Sequence, residues 1–232
     1  MVAGSIKSIN VGMPQQVPYL KKEVLTGIHK HPVQDAIKLT AVCFEGDGQA
    51  DLVHHGGEEK AVCVYPFEHY AYWETQGLRV GFGAFGENLT TQGIVEEDIH
   101  IGDTFQLGTA IVQVSQPRQP CFKLSVKYGL PELPLQVQET GYTGFYFRVL
   151  QEGVVSPSDS LICIGKHPAA LSISYANQIM HVEKTNRDGM ERLLAVPELS
   201  SSWRATFVKR LAGLETDTAE RLTGRAANKE AN

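Results

Sequence analysis

The sequence predicts an α+β protein: a β-rich, barrel-like domain over residues 1–167, followed by a small three-helix domain over residues 168–232. Three observations predict it. Through the first ~165 residues, short runs rich in β-branched and aromatic residues recur between Gly, Asp and Pro punctuation, the spacing of a barrel or closed sheet with functional loops. After His167–Pro168 the apolar residues recur at helical spacing instead. Each of those later stretches begins near a Ser or Asp able to accept the orphan amides of a first helical turn.

The elements follow in order. Strands are expected at Ser5–Val11, Val24–His29, Ile37–Phe44 and Ala61–Tyr65. "PFEHYAYWETQ" (Pro66–Gln76) reads as a helix, because proline suits a first turn whose amides lack partners and Gly77 stops it. Thr104–Leu107 and Ala110–Ser115 read as a hairpin, and Phe122–Tyr128 and Leu133–Glu139 as short helices. Strands return at Gly144–Leu150 and Ser160–Ile164. Helices are expected at Ser172–Val182, Asp188–Ala195 and Ser202–Leu211, with a polar, frayed tail from about Glu215.

Composition narrows the function classes. Hydrophobic residues make up 42% and charged residues 20%, as in an ordinary globular protein. The formal net charge of −5 argues against a general nucleic-acid surface but leaves room for a small basic pocket. From Ser172 to Asn232, nine Lys/Arg stand against eight Asp/Glu, too even a balance for a DNA-reading module. The expected partners therefore include no nucleic acid, and no apolar run is long enough to imply a membrane. The first residues lack a charged segment followed by an apolar one, so reduced thiols and a cytoplasmic location are expected. The four cysteines form no CxxC pair, against a zinc ribbon or an in-chain iron–sulfur cluster. No GxGxxG occurs.

Four segments carry candidate chemistry. In "VSQPRQPCFKL", Pro117 and Pro120 stiffen a loop, and Arg118 and Lys123 flank Cys121 with positive charge. If Phe122 opens a helix, its N-terminus also favours a thiolate. Cys121 thus reads as a nucleophile or soft-metal ligand. Cys43, Cys63 and Cys163, inside apolar runs, read as core filling. In "GDGQADLVHHGGEEKAV", Gly56 and Gly57 allow backbone amides to approach an anion beside His54, His55 and Lys60, or they make a solvated turn. Adjacent histidines on a strand face opposite ways, so a zinc site there is weak. In "GAFGENLTTQG", Asn88, Thr90 and Thr91 either meet a polar ligand or bond locally. Arg148, inside "FYFRVL", lies on an outward face or pairs with an anion in a barrel mouth.

Together and in this order, "ADLVHHGGEEKAV", "FGENLTT" and "VSQPRQPCFKL" resemble the MOSC family (molybdenum-cofactor sulfurase C-terminal domain), most of all its stand-alone bacterial, YiiM-like members. The resemblance extends to "YPFEHYAYW" and to "RLLAVPELSSSWRATFVKRLAG". It implies a barrel-like domain with a three-helix C-terminal domain, and binding of the molybdenum cofactor, a pterin phosphate whose dithiolene holds molybdenum. It places the metal-ligating, catalytic cysteine at Cys121. Lys60, Arg118, Lys123 and Arg148 become candidates for the cofactor phosphate, Gly56 and Gly57 for backbone contacts, and His55 and Asn88 for the pterin or oxo side. The activity implied is reduction of small N-hydroxylated compounds, such as hydroxylaminopurines and amidoximes, to amines. Electrons would come from a separate flavoprotein or iron–sulfur donor. The alternative is a sulfur carrier holding a persulfide on Cys121. Glu58 and Glu59 lower the local positive potential unless they point to solvent.

Overall fold

The computed structural model describes residues 2–50, 56–214 and 216–224. Chain order is β1 (Val2–Val11), β2 (Gln15–Tyr19), β3 (Lys22–Thr26), β4 (His31–Val33), β5 (Ile37–Leu39), β6 (Val62–Pro66) and α1 (Tyr70–Thr75). There follow β7 (Leu89–Gln92), β8 (Thr104–Leu107), β9 (Ala110–Pro117), α2 (Lys123–Tyr128), α3 (Leu133–Thr140), β10 (Phe145–Gln151), β11 (Gly153–Val155) and β12 (Ser160–Gly165). The chain continues with α4 (Ile173–Asn177), α5 (Arg187–Leu194), α6 (Ser201–Leu211) and α7 (Ala219–Thr223).

Strands β12, β8, β9, β10, β6, β7 and β1 lie side by side, and β12 pairs back onto β1, closing a seven-stranded barrel. β4 extends the sheet beyond β1. β1 serves three partners by bending, with register shifts between Val2 and Gly4 and between Ile6 and Ser8. Among the described residues, the one parallel pair in the barrel is β6–β7. Parallel strands cannot be joined by a tight turn, so a crossover is required. That crossover, Phe67 to Asn88, carries a 3-10 turn at Phe67–His69, then α1, then the glycine-rich loop. The expected Pro66–Gln76 helix is thus a 3-10 turn leading into a shorter α-helix.

Inward-facing residues fill the barrel: Ile6 and Ile9 of β1, Val62 and Val64 of β6, Val112 and Val114 of β9, Phe145 and Phe147 of β10. β6 is buried at every position, because its outer face is also covered. That cover is a second cluster of Tyr65, Tyr70, Trp73, Phe85, Leu124 and Leu133, drawn from the crossover, α2 and α3. This second cluster is the floor on which the functional loops rest.

α4 begins at the expected Ser172, whereas α5 and α6 are capped two residues before the expected Asp188 and Ser202. The Ser172, Asn186 and Ser200 side chains accept the amides of Tyr175, Gly189 and Trp203. After α4 the helix loosens into a π turn, Gln178–Val182. Trp203, Phe207, Ile179 and Leu193 are continuous with the barrel core, which removes the apolar faces of these helices from water. No helix among the described residues is long and apolar enough to cross a membrane.

Four strands, β2, β4, β7 and β11, lie outside the expected set, and the expected Val24–His29 run ends at Thr26. The expected fraying from Glu215 is corrected for residues 216–224. There α7 forms, and the Arg221 carbonyl receives the Phe122 amide at 2.8 Å.

Candidate functional site

A cavity of about 90 Å³ opens where the β3–β4 connection, the loop before β6, the end of the crossover and the loop after β9 meet. Four cations, Lys30, Lys60, Arg118 and Lys123, line it against one carboxylate, Asp47, among the described residues. A protein of net charge −5 therefore holds a cationic pocket. Cys121 and Cys63 both reach its wall and are both buried.

Arg118 is the central feature. It follows Pro117, where β9 leaves the barrel, and its backbone amide donates to Gly144 O at 3.0 Å. The residue is 6% exposed. Nη2 donates to Phe85 O at 2.7 Å, but Nη1 is buried without a hydrogen-bond partner. No carboxylate pairs with it among the described residues. A buried cation without an anion is costly, and an orphaned donor adds to that cost. Phe85 is held in place for this contact. Its ring stacks on Tyr65 at 4.1 Å, and its amide donates to Glu87 Oε2 at 2.9 Å. The buried Glu87 carboxylate also accepts from Gly83 N, Thr90 Oγ1 and the Tyr70 hydroxyl.

Cys121 sits one turn further on. Its carbonyl accepts the Leu124 amide at 3.0 Å, and Phe122 caps α2 without a side-chain bond. The expected helix therefore starts at Lys123, just beyond the thiol. Cys63, read from sequence as core filling, instead faces the cavity. Burial pushes its thiol up to about 11, so it stays protonated at neutral pH. Burial likewise holds the Tyr146 phenol, in the same wall, well above its ordinary value.

The other expected residues divide. Lys60 and Lys123 line the cavity. Asn88 reaches the wall, yet its amide is taken by the protein: Oδ1 accepts Cys63 N at 3.0 Å, and Nδ2 donates to Asp47 Oδ2 at 2.8 Å. It acts as framework, tying β6 to the Asp47–Lys30 ion pair. Gly57 has φ +89, a conformation that favours glycine, but its amide donates to Gln49 Oε1 at 2.8 Å. That donor is therefore not offered to a ligand, and neither Gly56 nor Gly57 lines the cavity. His55, with His54, lies outside the described residues.

Arg148 is not brought to the cavity. Its guanidinium bonds Glu59 Oε1 and Gln113 Oε1, each at 3.2 Å. Its guanidinium is thus spent on Glu59 and Gln113 rather than on the pocket. Sequence reasoning did not single out Lys30, Asp47 or Tyr146. Asp47 and Tyr146 lie inside marked segments, but only the fold brings them to one cavity with Lys30.

Known proteins agree with this architecture. Residues 51–162 match the family model "MOSC domain", and residues 171–214 match "YiiM-like, 3-alpha helix domain". The chain is 52% identical over 207 residues to "Uncharacterized protein YflK" of Bacillus subtilis, covering 89% of this chain and 94% of that protein. The crystal structure of YiiM from Geobacillus stearothermophilus superposes with a TM-score of 0.78 at 45% identity, over 90% of this chain and 99% of that one. A more distant relative, a protein named "Reductase" from Gibberella moniliformis, is 33% identical over 144 residues, 60% of this chain and 26% of that protein. Barrel and helical unit are thus both matched, and the chain belongs to the MOSC domain family, in its YiiM-like branch.

Proposed function

We propose that this chain is a reductase of small N-hydroxylated compounds that works with the molybdenum cofactor, Cys121 being the protein's ligand to the metal. The observation that carries the reading is Arg118, a buried guanidinium with an orphaned Nη1 in the same cavity as a buried cysteine. An anionic, sulfur-seeking group satisfies both at once. The residues present fit the cofactor in kind: one soft donor, and Lys60, Arg118 and Lys123 to balance negative charge. About 90 Å³ is room for one end of such a group rather than the whole.

When bound, the cofactor supplies a two-electron metal centre able to reduce an N–O bond to amine and water. The chain's own residues bind and orient. The Cys121 side chain donates sulfur, and Arg118, anchored on Phe85 O, fixes the position of negative charge. Cys63, its thiol pushed up by burial, is the poorer soft ligand of the two cysteines in the pocket. The name of the Gibberella relative supports a reductive role. With no flavin or nicotinamide fingerprint in the sequence, the reading includes a separate flavoprotein or iron–sulfur electron donor.

The test is metal and pterin analysis of protein made with molybdate in a cofactor-competent host, beside Cys121→Ser. Stoichiometric molybdenum in the parent and its loss in the variant support the reading. No molybdenum in either, with a persulfide on Cys121 by mass spectrometry, replaces it with sulfur carriage.

A further inference from the structure

We propose that Arg221, from the segment after the three-helix domain, is a positioning residue that ties down the cysteine loop on both sides of Cys121. Its Nη1 donates to Pro120 O, immediately before the cysteine. Its own carbonyl accepts the Phe122 amide, immediately after the cysteine, at 2.8 Å. Nη2 donates to Gln138 Oε1 at 2.7 Å, linking the same guanidinium to α3. One residue thus holds the carbonyl and the amide that bracket the thiol.

The loop needs such an outside hold. Pro117 and Pro120 bring no amide hydrogens, so the loop has few backbone bonds of its own to make. A fixed cysteine geometry must then come from a partner distant in sequence. The contact is also built rather than incidental. Gly224, with φ +68, lies so close to Phe122 that a Cβ there would come within 2.6 Å of the ring. Its carbonyl accepts Lys22 Nζ at 3.0 Å, and Lys22 lies over the same Phe122 ring. Phe122 is therefore held between the β2–β3 hairpin and the segment carrying Arg221, with the Tyr19 ring 6.0 Å away. The positive charge of Arg221 also acts on Cys121. The segment begins beyond residue 214, where the three-helix match ends.

This inference does not depend on whether Cys121 binds molybdenum or carries sulfur, because its readout is the thiol itself. The test uses the full chain produced in a host without pterin synthesis. Arg221→Gln removes the two side-chain bonds. Gly224→Val keeps Arg221 but pushes the segment off Phe122. Alkylation of Cys121 by iodoacetamide is followed by peptide mass spectrometry, with Cys43 as internal reference, alongside amide exchange over residues 119–126.

The expected result in both variants is Cys121 alkylation faster by about tenfold, with Cys43 unchanged and exchange accelerated at Phe122. Arg221→Lys, able to make one of the two bonds, falls between parent and Arg221→Gln. Release of residues 219–224, seen as faster exchange there, with Cys121 alkylation within twofold of the parent, overturns the proposal. The segment would then merely rest on a loop that holds itself.

Discussion

The Glu59 carboxylate lies 3.2 Å from the Arg148 guanidinium and receives the Ser201 amide at 2.9 Å and its hydroxyl at 2.6 Å. Glu59 directly precedes Lys60, a residue of the cationic cavity, yet turns its charge toward the start of α6. The positive potential of the pocket and the docking of the helical unit thus share one dipeptide. Glu59→Ala should lower the unfolding free energy by about 2 kcal/mol, the scale of lost hydrogen bonds to a charged group. Arg148→Ala should cost under about 1 kcal/mol, as for a partly exposed pair. Cofactor retention should not change in Arg148→Ala. Urea titration and metal analysis measure both, and loss of molybdenum in Arg148→Ala would return this residue to the site.

Arg118→Met separates ligand binding from folding. Removing the charge relieves its desolvation, while Phe85 O loses a donor, so the stability of the ligand-free protein should shift by only about 1 kcal/mol. Retention of cofactor should fall at least tenfold, because the anion's buried counter-charge is gone. A ligand-free variant that fails to fold would make Arg118 structural instead.

Glu87→Gln tests the platform beneath Phe85. The carboxylate accepts from four groups, and an amide replaces one of its acceptor oxygens with donors facing donors. The expected loss is about 3 kcal/mol. It should come with faster hydrogen exchange over residues 81–88. A substitution costing less than about 1 kcal/mol would show that the loop is held by its apolar contacts alone.

His181 predicts an acid weakness in the helical unit. Burial, then the charges of Arg221, Arg210 and Lys184, lower its pKa to about 3, and its ring stands edge-on to Trp203. The unfolded side chain titrates near 6.5. Between about pH 3 and 6.5 the unfolded state binds more protons, so stability is present above this window and is lost on acidification. From pH 7 to 5 the loss should be about 2 kcal/mol. His181→Phe should flatten that slope, as read from chemical denaturation at each pH. An unchanged slope in the variant would assign the acid response elsewhere.

Much of the architecture was legible in the chain. The switch from strands to helices after β12 showed because the apolar period changes there, and the start of α4 because Ser172 can cap. β8 and β9 showed because a turn at Gly108, with φ +58, separates two alternating runs. β7 did not, since its Leu89–Gln92 stretch is polar and becomes a strand only by lying beside Val64–Pro66. Arg118 and Cys121 stood out because prolines and charges surround a cysteine there. Cys63 did not, because "AVCVY" reads alike whether a strand's face meets core or cavity. Arg148 stayed open between an outward face and an anion for a related reason. A charge in an apolar strand announces that it needs a partner, and only the fold says that the partner is Glu59 rather than a ligand.

Closure through β1 has a consequence for how the protein is made. Ser5 is registered against Ser160, so β1 waits for β12, the last of the barrel strands in chain order. At ~5–20 residues per second, the ribosome leaves that strand without its closing neighbour for on the order of ten seconds. Until then its edge is open to pairing with other chains, and refolding from denaturant must close the same long loop before the barrel exists. Slow biogenesis and vulnerability of nascent chains are thus written into the same bond pattern that gives the cavity its rigid frame.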